Sequence, residues 1–186
     1  MPIQVGILGY GALGKHLYDT LLTQDDFEVK FIWNRTKEAL AGLPAGLALY
    51  SLDDVPSQEV DLVVEVSHPS ISAQLAAKCL RNGSDFFVGS PTAMSDVACE
   101  KEMRDAAEES GRALYIPSGA LWGAADIQGL ANRGLLHALT ITMKKHPASF
   151  RLPHAETDTK RAAAEKITDA EVVLYEGSVR GLCPIA

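Results

Sequence analysis

Six consecutive residues have the types and spacing to hold a pyrophosphate: Gly9, Tyr10, Gly11, Ala12, Leu13 and Gly14. In this Gly-x-Gly-x-x-Gly pattern, Gly9 permits a tight turn, and Gly11 lets a phosphate approach the backbone because it has no Cβ. Gly14 lets a helix pack closely on a strand. The N–H groups that begin such a helix attract phosphate, since they carry the positive end of the helix dipole. The motif therefore predicts a dinucleotide site.

The residues around the motif supply the elements that it needs. An apolar run over 3–8 precedes it, and a helical stripe of Leu13, Leu17 and Leu21 follows it. A second strand is predicted over 28–35. An isolated glycine motif is weak evidence, whereas one between a strand and a helix, with a second strand next, is typical of a Rossmann unit.

The residues at the end of the second predicted strand indicate whether the site favours NAD or NADP. Asn34 and Arg35 stand where an NAD-selective site usually has Asp or Glu to bind the ribose hydroxyls. Asn34 does not repel a 2′-phosphate, and Arg35 can pair with one. The two residues therefore favour NADP, and NAD remains open.

Among the other side chains that could take part in a reaction, the sequence identifies no catalytic residue. Ser67 is the last residue of a predicted strand and His68 comes directly after it, at the carboxyl edge where ligands bind in open α/β sheets, and we expect both on the nicotinamide side. His16 is expected to face solvent. His146, after two lysines, could face substrate, although a solvated charge run is favoured. Cys79 lies on the apolar face of a predicted helix and is interpreted as a core residue.

The elements that position these residues alternate along the chain. Further strands are predicted over 47–50, 61–67, 85–90 and 112–117. Helices are predicted over 36–41, 71–82 and from an N-cap at Ser95 to 110. This alternation predicts a doubly wound parallel sheet of the Rossmann type in an α/β fold.

The pattern changes near Ser118, where we place a domain boundary that gives domains 1–118 and 119–186. The second domain has a predicted helix over 124–133 and a polar, alanine-rich stretch over 151–169 with some helix. Period-2 alternation predicts strands over 137–143 and 171–176. These elements indicate a partial α+β domain, because two strands alone make no stable sheet.

Composition narrows the class of protein. The chain has 186 residues and a formal net charge of −7, so it lacks the overall basic charge of proteins that bind nucleic acid or anionic membranes. No targeting signal or membrane span is expected. Three cysteines without a Cys-x-x-Cys pair argue against a disulfide framework or a metal site, and favour a reducing, cytoplasmic compartment. The sequence leaves a homodimer open.

Taken together, the motifs resemble the L-aspartate dehydrogenase family, and in particular its animal branch of aspartate dehydrogenase domain-containing proteins. The resemblance covers the whole chain and depends on residues 9–14, 33–35, 61–65, 88–91, 118–123, 175–177 and 179–184. It implies a Rossmann domain, an α+β substrate domain, and NAD(P)-dependent oxidation of L-aspartate to iminosuccinate, which hydrolyses to oxaloacetate and ammonia. It also implies that Ala120 contacts the cofactor.

The chain departs from the family after residue 184. Family members continue with an asparagine-containing cofactor motif and, later, an active-site histidine, neither of which is in this sequence. We therefore expect a truncated isoform or fragment with no assigned catalytic residue. A non-catalytic NADP-binding protein is the alternative. A relative of homoserine dehydrogenase or dihydrodipicolinate reductase is a third reading, against which residues 118–123 argue.

Overall fold

A computed structural model describes residues 1–119, 123–146, 148, 155–167 and 170–182. The chain divides into two compact units, Met1–Gly119 and Ala120–Ala186. None of the helices in these ranges is both long and apolar enough to cross a bilayer. Each unit is described by itself below.

The first unit is built on a six-stranded sheet in which every pairing is parallel. Its strands are β1 Ile3–Leu8, β2 Phe27–Trp33, β3 Ala48–Leu49, β4 Leu62–Glu65, β5 Asp85–Val88 and β6 Leu114–Tyr115. Their spatial order is β3-β2-β1-β4-β5-β6. This is the order of a Rossmann fold, so the predicted fold class is confirmed. The strand order reverses between β1 and β4, which is where such sheets bind ligands.

The two central strands are buried because they are apolar on both faces. β1 pairs with β4 from Val5–Leu62 to Leu8–Glu65. In β4, Val63 belongs to one core cluster and Val64 to the other, as expected for neighbouring residues whose side chains point to opposite faces. The continuous apolar run of β4 predicted a strand buried on both faces, and the structure has such a strand.

Helices cover both faces of the sheet in the first unit. They are α1 Ala12–Leu21, α2 Pro69–Arg81 and α3 Val97–Ser110, with 3₁₀ turns at Lys37–Leu40, Val55–Ser57 and Pro91–Ser95. Tyr18 of α1 packs in one core cluster, and Leu75, Leu80 and Met103 of α2 and α3 pack in the other. Cys79 is also buried in the second cluster, which confirms its interpretation as a core residue.

Both ends of α3 have typical helix caps, but the N-cap residue differs from the predicted one. Ser95 was predicted as the N-cap of α3, but the structure has Asp96 there, whose Oδ1 accepts a hydrogen bond from Cys99 N at 2.9 Å. A carboxylate suits this position because it also faces the positive end of the helix dipole. Ser95 instead ends the preceding 3₁₀ turn. Gly111 ends α3 in the left-handed conformation at φ 67°.

In its described residues the second unit has the helices α4 Ala124–Asn132, α5 Ala155–Ala164 and α6 Val179–Leu182. The strands predicted over 137–143 and 171–176 are wrong, since neither segment has strand structure. A strand needs a hydrogen-bonded neighbour, and within the described residues these segments have none. Lys144, the residue after the first segment, forms an exposed ion pair with Glu171, the first residue of the second segment, at 2.7 Å between Nζ and Oε1.

Replacing Leu80 by alanine tests the packing of α2 on the sheet. Leu80 is 0% exposed in the larger core cluster, so we expect Leu80→Ala to lower the free energy of unfolding by about 2–5 kcal/mol. Leu22→Ala is the matched control, because Leu22 is 64% exposed and should change stability by about 0.5 kcal/mol or less. Urea denaturation measures both, and equal losses would contradict the packing described.

Candidate functional site

The glycine motif forms a tight turn between β1 and α1 that packs on the loop after β4. Gly9 has φ +112°, and a Cβ built on it would lie 2.9 Å from Ser67 Cβ and from Val66 O. A Cβ on Gly14 would overlap the carbonyl oxygen of Gly9. Both positions therefore require glycine, Gly9 for its conformation and Gly14 for the close approach of α1.

The start of α1 is open. Gly11 is the N-cap residue, and no side chain caps the helix or places a carboxylate in its first turn. A Cβ on Gly11 would meet no atom within 4 Å, and Ala12 and Leu13 are exposed. The first backbone N–H groups of a helix have no partner inside it, and here they face an open cradle. A pyrophosphate fits this cradle by charge and by space.

Asn34 links the glycine turn to the end of β2. Its Oδ1 accepts a hydrogen bond from Tyr10 N at 2.9 Å, and its Nδ2 donates to Thr36 O at 3.0 Å. The carboxamide therefore fixes two loops of the site. Arg35 beside it is exposed, and its guanidinium pairs with no carboxylate in the described part of the chain. Arg35 is therefore an available cation at this end of the described site.

The side chain of Tyr10 lies against α1. Its ring contacts Tyr18 edge to face, with centroids 6.1 Å apart, and Lys15 Nζ lies 5.5 Å from its centroid. Burial, and then the charges of Asp19 and Tyr18, raise the pKa of Tyr10 above its usual value. The phenol is therefore neutral at physiological pH and packs as an aromatic ring.

A buried carboxylate links the loops on the other side of the switch point. Glu65, the last residue of β4, is 0% exposed and accepts six hydrogen bonds. The donors are Ser67 N at 2.6 Å, Ser67 Oγ at 3.0 Å, His68 N at 2.7 Å, Ser72 Oγ at 2.6 Å, and Ser90 N and Oγ at 3.1 Å each. One side chain thus connects the loops after β4 and β5 with the first turn of α2.

His68 is the N-cap of α2 and has one free ring nitrogen. Its Nδ1 accepts from Ser70 N at 3.2 Å and lies 2.9 Å from Ser70 Oγ. Because Nδ1 accepts a backbone hydrogen bond, the neutral ring carries its proton on Nε2. Nε2 has no hydrogen-bond partner within the described residues, and the side chain is exposed. Ser67, in contrast, donates both its N–H and its hydroxyl to Glu65.

The structure brings most of the predicted site residues to one edge of the sheet. Residues 9–14, Asn34, Arg35, Ser67 and His68 all follow β1, β2 or β4 at their carboxyl ends. Ala120 lies outside the described residues. His16 is exposed on α1, as expected, and His146 Nδ1 accepts from Ala148 N at 3.3 Å.

Sequence reasoning missed the roles of Glu65, Ser72 and Ser90. The available signal was an acidic residue that ends an apolar strand and precedes several serines.

Two other classes of site find no support in the described part of the chain. It has no group of three or more His, Cys, Asp or Glu side chains that could hold a metal ion. Burial raises the pKa of the Cys79 thiol to about 12 against the opposing charge of Lys78, and burial also raises the pKa of Cys99. Since the thiolate is the nucleophile, neither cysteine is activated for catalysis.

Two family models match the chain. One is described as homoserine dehydrogenase, NAD binding domain, and matches residues 9–117, more than half of the chain. The other is described as aspartate dehydrogenase, C-terminal, and matches residues 126–186. Together they cover the glycine motif, the Glu65 network and, from residue 126 onward, the second unit.

Similar proteins agree with these matches. The chain is 45% identical to an aspartate dehydrogenase domain-containing protein of Xenopus tropicalis over 99% of its length, and 29% identical to an L-aspartate dehydrogenase of Methanocaldococcus jannaschii over 95%. It spans 64% and 66% of these two relatives. A solved aspartate dehydrogenase from Thermotoga maritima has the same fold, with a TM-score of 0.52 and 20% identity over 71% of this chain and 52% of that one. The chain belongs to the L-aspartate dehydrogenase family.

Proposed function

We propose that this chain binds NADP, in preference to NAD, and takes part in oxidation of the CH–NH₂ group of L-aspartate. The observation that carries the proposal is the start of α1, which is uncapped, exposed and placed beside the β1–β4 switch point. Such a helix start binds the pyrophosphate of a dinucleotide through backbone N–H groups. Membership in the L-aspartate dehydrogenase family supports the choice of an oxidoreductase.

The residues divide between the two ends of the dinucleotide. Gly9, Gly11 and Gly14 shape the cradle in which the N–H groups of the first turn hold the pyrophosphate. Arg35 pairs with the 2′-phosphate on the adenosine ribose, since guanidinium binds phosphate through two hydrogen bonds. Asn34 holds the loop from which Arg35 extends.

Ser67 and His68 lie along the nicotinamide side of the proposed site. The resemblance to the family also assigns a cofactor contact to Ala120, in the Ser-Gly-Ala motif. A bound dinucleotide would supply the hydride acceptor for the carbon that bears the amine. L-aspartate also loses a proton and becomes iminosuccinate, which adds water and releases ammonia to give oxaloacetate. The His68 Nε2–H is a free donor at this edge for a substrate carboxylate.

The proposed activity belongs to a small-molecule enzyme of the cytoplasm. Three cysteines without a closely spaced pair suit a reducing compartment.

The reverse reaction consumes oxaloacetate, ammonia and reduced dinucleotide, and it is convenient to follow because NADPH absorbs and fluoresces.

The first test uses Gly11→Val. The valine side chain would fill the space that the pyrophosphate needs, so we expect NADPH binding, followed by calorimetry or by NADPH fluorescence, to weaken at least about a hundredfold. Gly42→Val is the matched control, because Gly42 is exposed, has no atom within 4 Å of a built Cβ and lies outside the glycine turn. Unchanged binding by Gly11→Val would overturn the cradle assignment.

Arg35→Ala tests the preference for the 2′-phosphate. Loss of one charge-assisted contact should weaken NADPH binding about tenfold and leave NADH binding nearly unchanged. Arg112→Ala removes the same charge after α3, at the opposite edge of the sheet, and should affect neither ligand. If Arg35→Ala weakened both dinucleotides equally, Arg35 would not recognise the 2′-phosphate.

Turnover is tested with the purified chain, NADPH, oxaloacetate and ammonium. We expect NADPH oxidation, read from the loss of its near-ultraviolet absorbance, only when both oxaloacetate and ammonium are present. Pyruvate in place of oxaloacetate is the substrate control. NADPH binding without oxidation would contradict the dehydrogenase activity of this chain while leaving dinucleotide binding in place.

A further inference from the structure

Glu65 is a fully buried acidic side chain of the first unit, and it is the centre of a hydrogen-bond network. It is 0% exposed, and no lysine, arginine or histidine of the described residues forms an ion pair with it. Its oxygens are satisfied by backbone N–H groups and serine hydroxyls. Burying a carboxylate is unfavourable unless such donors surround it. An apolar residue would be the simpler way to fill this position in the core.

The six donors come from segments that share one place in the fold. Ser67 and His68 follow β4, Ser72 lies in the first turn of α2, and Ser90 follows β5. In a doubly wound sheet each half binds one mononucleotide. The glycine turn and Arg35 belong to the half formed by β1, β2 and β3, whereas every donor to Glu65 belongs to the half that begins with β4.

We infer that Glu65 is a positioning residue for the nicotinamide half of the bound dinucleotide. This inference rests on the function proposed above. Glu65 itself touches no ligand, because both of its oxygens are buried and hydrogen-bonded. It acts by fixing the backbone of Ser67, His68 and Ser90, and thereby the free Nε2–H of His68, at the edge where the nicotinamide nucleotide lies.

Glu65→Gln tests this role with the smallest change of shape. Glutamine keeps one oxygen for the turn formed by Ser67 N and His68 N, and places an NH₂ group where Oε2 accepts from Ser90 N and Ser72 Oγ. The Ser72 hydroxyl can rotate to accept, but Ser90 N–H cannot. The loop after β5 therefore loses the Ser90 N–H bond to the side chain, while the Ser90 Oγ bond to Oε1 and the Gly89 N bond to Glu65 O remain.

The readout compares two ligands that differ only in the nicotinamide end, NADPH and 2′-phospho-ADP-ribose. In calorimetry, Glu65→Gln should raise the Kd for NADPH about tenfold. It should change the Kd for 2′-phospho-ADP-ribose less than about twofold. A purely structural role of Glu65 would affect both ligands alike. Leu80→Ala, a core variant away from the site, is the control and should leave the ratio of the two affinities unchanged.

Ser72→Ala provides a second variant in case Glu65→Gln does not fold. It removes one buried donor to Glu65 and keeps the carboxylate, so it should weaken NADPH binding about threefold without affecting 2′-phospho-ADP-ribose. Equal weakening of both ligands in either folded variant would overturn the inference and leave the proposed function intact. Failure of the unmodified chain to bind either ligand would overturn both.

Discussion

The carboxylate of Glu65 is the interaction on which the ligand edge of this sheet depends. Parallel strands fix where their carboxyl ends lie, but the loops that follow have no ladder to order them. One buried side chain supplies that order here, because six donors from three segments converge on it. Since an unsatisfied charge in the core is far less stable than a satisfied one, the loops and the carboxylate stabilise each other.

A second constraint connects the two halves of the site. Gly9 packs against Ser67, whose N–H and hydroxyl both reach Glu65. The turn after β1 is also joined to the end of β2 through Asn34. The glycine motif is therefore held from both sides, and its fixed shape follows from contacts with neighbouring strands as much as from its own sequence.

Much of the fold could be predicted because it depends on local patterns. Apolar runs, glycine stops and strand–helix alternation indicated the six parallel strands and the helices between them. Contacts between distant segments could not be read in the same way. The Asn34–Tyr10 bond joins residues 24 positions apart, and Ser90 reaches Glu65 across 25 positions. The two strands predicted in the second unit were wrong because alternation describes one segment, whereas a strand also requires a neighbour.

The uncapped start of α1 makes the stability of the chain sensitive to its surroundings. A helix that supplies no side chain or acidic group for its own first turn gains most when an anion arrives there. By mass action, a ligand at a hundred times its Kd adds about 2.7 kcal/mol to the free energy of unfolding. A dinucleotide bound there, as proposed above, would stabilise the fold, and the lifetime of the chain against proteolysis should then rise and fall with the dinucleotide concentration.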